Sequence, residues 1–380
     1  MTVTPRVFFD GEIYSLQSRG GISNYFSQLV PRLADRGVGV TVLTDQVIRG
    51  TIPSSSGVVQ RRWFPLGSRV WSRLPQSWQV PAEEMGVRHW CRKIDRTDAA
   101  VLHTSYFTSP PLRRAPLVVT VYDMIYELFP ELFNRDADER FRQQKRRCVE
   151  AATRIIAISN SAKRDVCELC DIDPDRVDVT PLGVDVAYWR SRAMGIHQEV
   201  TTKLQRPYLL YVGTRFSYKN FRRFVEAYDR SPLSADFDIV AAGCPWSPEE
   251  QEFLGHLGAA ARVRNVVSPT DEELAMLYEG ATAFIYPSLY EGFGLPLLEA
   301  MACGTPVVAS NAGSIVEVAA DAADYFDPND SDSMTAAISR AVEPARSQEL
   351  RSRGEKRVGQ FDWDRTADLT LQCYSRALGS

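Results

Sequence analysis

The sequence contains no apolar run of about 18 residues, so no segment is expected to span a membrane as a helix. Cysteine is sparse: seven residues, an odd number scattered over 380 positions, make no disulfide framework and point to a reducing compartment. No charge of one sign dominates. Lys+Arg 44 against Asp+Glu 48 leaves a net charge of −4, whereas a dedicated nucleic-acid binder would carry a strongly basic domain. There is no low-complexity tract and no internal repeat of about 20–50 residues, which excludes solenoids and propellers. The opening MTVTPRVFFDG lacks a basic stretch followed by an apolar one, so a cytoplasmic rather than secreted protein is expected. What remains is ordinary: 44% hydrophobic and 24% charged residues, as in soluble globular proteins. At roughly 100–200 residues per domain, the chain has room for two or three.

Apolar, β-rich runs alternate with segments of helical period, the pattern of α/β domains with parallel sheets. Arg6–Asp10 reads as a strand, a loop reaches Gly20-Gly21, and Ile22, Tyr25, Phe26, Leu29, Val30 and Leu33 then recur at helical spacing. Pro31 is expected to kink that helix or restrict its last turn, and Gly37 to follow its C-cap. Further strands are expected at Gly39–Leu43, Ala99–His103, Leu117–Tyr122 and Ile155–Ser159. A second series begins with Tyr208–Gly213 and continues through Phe237–Ala242, Val263–Val267, Ala283–Pro287 and Pro306–Ser310. Between the series, Asp185–Arg206 is polar and without clear period. The expected division is therefore residues 1–190 and 191–364, with 365–380 as a C-terminal helix. Doubly wound domains bind ligands outside the carboxyl ends of their strands, here expected to face one another across a deep cleft.

The most informative segment runs from Phe284 to Ser310, FIYPSLYEGFGLPLLEAMACGTPVVAS. A strand ends near Pro287, a loop carries Glu291, Gly292, Phe293 and Gly294, and a helix starts near Pro296, which suits a first helical position. Glycines let backbone N–H groups approach an anion, and the helix N-terminus adds partial positive charge. Glu299 lies about one turn into the helix. Carboxylates repel phosphate, so Glu291 and Glu299 fit hydroxyls of a sugar and a ribose on either side of a diphosphate. The plain alternative for Glu299 is a solvated acid favoured by the helix dipole. After the strand Tyr208–Gly213, the loop GTRFSYKN brings Arg215 and Lys219 beside Gly213, cations able to neutralise a departing diphosphate. Their plain alternative is surface charge at a helix entry.

The run E-G-F-G-L-P-x-x-E-A-M-A-x-G-x-P-V-V-A-S resembles the retaining glycosyltransferases of family 4, and the resemblance extends over nearly the whole chain. It includes Gly20-Gly21-Ile22-Ser23-Asn24-Tyr25, Ser159-Asn160-Ser161-Ala162-Lys163-Arg164-Asp165, Thr180-Pro181-Leu182-Gly183-Val184-Asp185, Tyr211-Val212-Gly213-Thr214-Arg215 and Phe361-Asp362-Trp363. The resemblance implies the GT-B architecture, with two Rossmann-like domains and a C-terminal helix returning to the first. It implies that Glu291 contacts the donor sugar and Glu299 the nucleotide ribose, and that the Gly20-Gly21 loop approaches donor phosphate and acceptor. An Arg and a Lys hold the diphosphate in the family; Lys219 matches, Arg215 is the expected partner, and Tyr218 stands where many members carry the Arg. Many relatives have His-Asp where this chain has Tyr122-Asp123. Asp123 is thus expected to hold sugar or acceptor, with a helix N-cap or a loop turn as its alternative, and His103 and Tyr122 are candidates for the acceptor side.

The resemblance implies a nucleotide-sugar donor and a glycan or lipid-linked saccharide acceptor in surface polysaccharide or glycolipid synthesis. GDP-mannose is the first choice of donor and a UDP-sugar the second. No metal and no cofactor are expected, because neither Asp171/Asp173 nor Asp362/Asp364 follows an apolar strand, and Cys167/Cys170 lacks a second pair for zinc. Arg61, Arg62, Trp63, Phe64, Arg69, Trp71, Arg73 and Trp78 form a basic, aromatic segment suited either to a membrane interface or to packing its tryptophans into the first domain. The rival activities are a nucleotide-sugar epimerase of the same fold and a non-catalytic nucleotide-sugar binding protein.

Overall fold

The computed structural model describes residues 4–18, 20–44, 48–63, 76–133, 135–193 and 204–379, without the side chains of 76–83. It divides into two units, residues 1–182 with 363–380 and residues 183–362. Each is built on one parallel sheet.

The first sheet takes β1 (Arg6–Phe9), β2 (Gly39–Thr44), β3 (Val58–Arg62), β4 (Ala100–Thr104), β5 (Leu117–Val121), β6 (Arg154–Ala157) and β7 (Val177–Val179) in the order β3-β2-β1-β4-β5-β6-β7. The strand order reverses between β1 and β4. Every residue of β4 and β5 is buried, as expected for parallel strands covered on both faces. The helix Gly21–Asp35 continues one turn beyond Pro31. It closes with Gly37 at φ +80, its N–H donated to Ala34 O and that of Val38 to Leu33 O. This satisfies two of the orphaned carbonyls of the last turn, and only glycine adopts that backbone without strain.

The second sheet takes β8 (Tyr208–Val212), β9 (Asp238–Gly243), β10 (Val263–Val267), β11 (Ala283–Tyr286), β12 (Val307–Ser310) and β13 (Ala323–Phe326) in the order β10-β9-β8-β11-β12-β13. Its reversal lies between β8 and β11. One core gathers Leu209, Tyr211, Phe224, Ile239, Ile285, Val308 and Ile338 from strands and covering helices.

The division falls earlier than the composition of residues 185–206 suggests. Helix Val186–Ala193 belongs to the second unit: Trp189 packs edge-on to Tyr278, Tyr188 bonds Asp271, and Arg190 pairs with Glu355 at 2.9 Å. The C-terminal helix Trp363–Ala377 belongs to the first unit, through Arg36 to Asp368 at 2.7 Å, Arg376 to Asp178 at 2.8 Å and Thr366 to Pro181 O at 2.8 Å.

His103 explains much of that attachment. It is fully enclosed, with Nδ1 2.7 Å from the Tyr374 hydroxyl and Nε2 2.8 Å from Thr120 Oγ1, so it joins β4 and β5 to the C-terminal helix. The expected acceptor role for His103 is therefore replaced by a structural one. Tyr122 is likewise buried, its hydroxyl donated to Ser105 O at 3.1 Å and its ring against Tyr25 and Phe107. It presents no surface to an acceptor.

All seven cysteines are free thiols, and Cys167 and Cys170 lie on one helix, Asn160–Cys170. Asp171 and Asp173 serve as helix caps. Trp63 is buried and donates to Asp10 O at 3.1 Å, while Arg61 and Arg62 stand exposed on β3. Residues 64–75 and the Trp78 side chain lie outside the described residues, and with them most of the basic, aromatic segment. No helix among the described residues is long and apolar enough to cross a membrane.

Burial lowers the His103 pKa from 6.5 to about 3. In the unfolded chain the imidazole takes up a proton below about 6.5, whereas the folded chain takes one only near 3, so stability falls as pH drops through that window. Between pH 7 and pH 5 this group alone should cost about 2 kcal/mol. Urea titrations should show a steeper loss over that interval for the native protein than for His103→Gln; parallel profiles would refute the assignment.

Candidate functional site

In the second unit, the two strands flanking the reversal, β8 and β11, send out the loops that hold the expected site residues. Gly213 adopts φ +130 at the end of β8, and its carbonyl lies so near Gly243 that a Cβ on Gly243 would come within 2.4 Å of it. A short 3₁₀ turn, Ser217–Lys219, then carries Lys219. Asn220 follows in the left-handed conformation, buried, with its amide on Pro328 O at 2.8 Å. After β11, residues 287–294 loop over to helix Leu295–Ala302, with Pro296 in its first turn. Gly294 precedes that helix at φ +106, and a Cβ there would meet Leu297 at 2.8 Å, so glycine is required on both counts. The helix has no side-chain cap. Pro296 has no N–H and Leu297 N–H donates to Gly294 O at 3.0 Å, so the Leu295 N–H and the positive end of the helix dipole are what this terminus can turn toward an anion.

Lys219 and Glu291 meet where these loops converge. The ammonium lies 2.7 and 2.9 Å from the two carboxylate oxygens, with side chains 18% and 11% exposed. Ser288 Oγ donates to Glu291 Oε1 at 2.6 Å, and Ser310 Oγ holds the Ser288 carbonyl at 2.5 Å. Ser314 Oγ, wholly buried, lies 2.6 Å from Glu291 O and 3.2 Å from Phe293 O. Leu289 N–H donates to Tyr218 O at 2.7 Å and ties the two loops together. Gly292 and Leu295 are half-buried and Phe293 is buried. Glu299 is half-buried on the helix and accepts from the Tyr278 hydroxyl at 3.2 Å. Glu299 thus lies on the first turns of the helix that Gly294 opens, as the spacing implied.

Arg215 departs from expectation. Its side chain is 3% exposed, with Nε on Glu250 at 2.7 Å, Nη2 on the Cys244 and Pro245 carbonyls, and the guanidinium 4.3 Å above the Trp246 ring. It braces the loop against helix Pro248–Gly255. Lys219 has a different carboxylate, so the two cations do not form a pair around one anion. A cavity of about 570 Å³ is lined by Arg215 itself, with Ser217, Arg222, Glu226, Glu249 and Phe253 among others, and by none of Lys219, Glu291 and Glu299.

The first unit repeats the pattern at its own reversal. Gly21 opens helix Gly21–Asp35, exposed and with nothing near the place of a Cβ, and that helix too lacks a side-chain cap. Asp123 follows β5, half-buried, and accepts from Ile125 N at 3.1 Å. That bond, from residue i+2 back to the carboxylate, is a local turn ahead of the helix Ile125–Leu128, whose N-cap is Met124, so the loop-turn alternative is present in the structure.

The residue that most organises this edge was not singled out in the sequence. Asp10, at the end of β1, is fully buried and accepts from Ser105 N at 2.7 Å, from the hydroxyls of Ser105 and Thr108, and from Glu12 N at 3.4 Å. Burial raises its pKa against these bonds. It fastens the loop after β1 to the loop after β4. The signal was available: a carboxylate closing the apolar run VFF, immediately before glycine.

Comparisons with known proteins agree with this geometry. Residues 19–188 match the family model described as glycosyltransferase family 4, and residues 195–357 match glycosyl transferases group 1. The O-antigen chain mannosyltransferase B of Escherichia coli is 32% identical over 273 residues, 70% of this chain and 71% of that protein. Among solved structures, the sucrose-phosphate synthase of Thermosynechococcus elongatus superposes with a TM-score of 0.75 at 21% identity, over 98% of this chain and 99% of that one. WaaG, a glycosyltransferase of lipopolysaccharide biosynthesis, gives 0.72 at 17%, over 96% and 98%. These two establish the fold, two Rossmann-like units of the GT-B class.

Ser314→Ala should leave a folded protein, because it removes one hydroxyl and no apolar contact. It should lower turnover about tenfold, since the backbone that sets Glu291 loses its buried donor. Unchanged turnover in a steady-state assay would show that Glu291 is held well enough without it.

Proposed function

The chain belongs to glycosyltransferase family 4, and from that membership and the geometry of the second unit we propose that it transfers a sugar from a nucleotide diphosphate to a hydroxyl of a glycan or lipid-linked saccharide, with retention at the anomeric carbon. The observation carrying the proposal is the Lys219–Glu291 pair beside an uncapped helix N-terminus at the reversal of the sheet. Mannosyltransferase B of Escherichia coli supports GDP-mannose as first choice of donor, ahead of a UDP-sugar, and supports surface polysaccharide or glycolipid synthesis as the setting.

In the proposed reaction the acceptor oxygen bonds to the anomeric carbon as the bond from that carbon to the phosphate oxygen breaks. The acceptor proton passes to the departing phosphate on the same face, and no protein base is assigned. Lys219 transfers its charge from Glu291 to the leaving diphosphate, joined by the N–H groups around Gly292, Phe293, Gly294 and Leu295. The freed Glu291 accepts from hydroxyls of the donor sugar, and Glu299 accepts from the ribose. Gly213 lets the loop run close to the diphosphate. Arg215 acts by bracing that loop rather than by touching phosphate. In the first unit, Gly20 and Gly21 approach the donor phosphate, and Asp123 holds sugar or acceptor. We propose no metal, because Lys219 and the helix N-terminus supply the positive charge.

A thermal-shift panel of GDP, UDP, ADP and dTDP should show one nucleotide stabilising the protein selectively, with the shift reduced in Glu299→Ala. No shift with any of the four would refute the ribose assignment. Lys219→Ala should lower kcat on the order of a hundredfold or more, and activity should persist in EDTA; loss in EDTA would overturn the metal-free mechanism.

A further inference from the structure

Beyond the donor site, the first unit carries an aromatic cluster that none of the residues discussed so far accounts for. Tyr106 stacks on Phe141 with ring centres 5.4 Å apart and planes at 30°. Tyr126 lies 4.2 Å from Phe133 and 4.8 Å from Phe141. All four rings are half-buried, not enclosed. They gather at the carboxyl ends of β4 and β5, the edge that also carries Asp123.

The cluster rests on a costly base. Lys145 is 1% exposed beneath it, donating to Glu127 at 2.7 Å and to Asp123 O at 3.2 Å, with Phe107, Tyr126 and Phe141 within 6 Å of its ammonium. Replacing such a buried pair by apolar side chains usually costs little and often stabilises, so its presence here fits a demand of geometry. Phe107 adds a positive φ of +54, unusual for a bulky residue. The loop is fixed from three sides, by Asp10 on Thr108, by Gln144 on Phe107 O and by Cys148 on Thr108 O. These anchors hold the loop that carries Tyr106, half-buried, with its ring on Phe141.

Among the described residues, no group hydrogen-bonds the Tyr106 or Tyr126 hydroxyl. Burial, then Tyr126, Asp123 and Glu12, push the Tyr106 hydroxyl up to about 12, so it stays a neutral donor and acceptor. A group of half-buried rings, stacked and tilted on one another at 30–55°, with neutral hydroxyls and a neighbouring carboxylate, matches the chemistry of a sugar ring. Apolar C–H bonds of a pyranose pack on the aromatic faces while its hydroxyls reach polar groups at the rim.

We propose that Tyr106, Tyr126, Phe133 and Phe141 form a shelf that binds a pyranose ring, with the Asp123 carboxylate accepting from its hydroxyls. The ring belongs to the acceptor, so the acceptor presents a saccharide here and not a bare lipid phosphate. Naming it the acceptor rests on the glycosyltransferase reading; the binding itself does not. Lys145 is the positioning residue of the shelf.

Saturation-transfer NMR with methyl α-D-mannopyranoside tests it on the full chain. The native protein should saturate the ring protons of the glycoside. Tyr106→Ala should reduce that signal threefold or more, whereas Tyr106→Phe, which keeps the stack, should retain most of it. Glu291→Gln, at the donor site, should leave it unchanged, and the nucleotide thermal shift of Tyr106→Ala should equal that of the native protein. No saturation in the native protein, equal saturation in Tyr106→Ala, or loss in Glu291→Gln would each overturn the shelf. Absence of any nucleotide shift with saturation intact would instead strike the donor reading and leave the shelf standing.

Discussion

The Lys219–Glu291 contact is the interaction that ties together the loops after β8 and β11, and the chemistry proposed for the second unit rests on it. Two opposite charges, each largely buried, would lose more in desolvation than they regain unless the surrounding groups fix them and satisfy their remaining valences. The sheet supplies the means. Because β8 and β11 are neighbours whose connections leave in opposite directions, their loops separate and leave a gap that side chains can enter. Ser288, Ser310 and Ser314 then hold the carboxylate and its backbone from the protein side. What the proposed reaction asks of this site is an ammonium that exchanges one anion for another beside a helix N-terminus without a side-chain cap.

The same construction in the first unit uses different chemistry. At the β1–β4 reversal, the buried carboxyl is Asp10, and its partners among the described residues are hydroxyls and backbone N–H groups. Such a group fastens loops and offers nothing to an anion. One unit therefore places a paired positive charge at its edge. The other places fixed loops with aromatic rings at theirs, an arrangement suited to a neutral, ring-shaped molecule.

How much of this could be read in the sequence follows from burial. Strands covered on both faces, such as β4, β5 and β9, are continuous apolar runs and were legible within a residue or two. The edge strand β3, Val-Val-Gln-Arg-Arg, is almost wholly exposed, and β7 has three residues; neither makes an apolar run, and neither was expected. The EGFG segment was legible because a strand, two glycines and a helix start must coincide for a backbone to approach an anion. His103 and Tyr122 were misplaced for the reason that made their strands easy. In a strand buried on both sides, alternation carries no information about which residue faces outward. The outward positions are His103+3 and Tyr122+4 along the chain, Tyr106 and Tyr126, beyond the strand ends, where no period operates.

Arg215 shows a related limit. A cation in a loop has no periodicity to reveal its direction, so Arg215 and Lys219 were indistinguishable by spacing. What separates them is a partner 35 residues away, Glu250, placed by a capping box at the start of its own helix, where Ser247 and Glu250 exchange hydrogen bonds. That capping box fixes Glu250 before Arg215 is considered, and Trp246 beside it provides the face on which the guanidinium stacks. The planar fork of arginine fits a carboxylate and two carbonyls at once, which a lysine could not do. Lysine at 219 has the opposite advantage, since a point charge on a flexible stem can leave a carboxylate for a phosphate without surrendering a bidentate geometry. The two cations thus divide into a brace and, in the proposed reaction, a moving charge by the chemistry of their side chains.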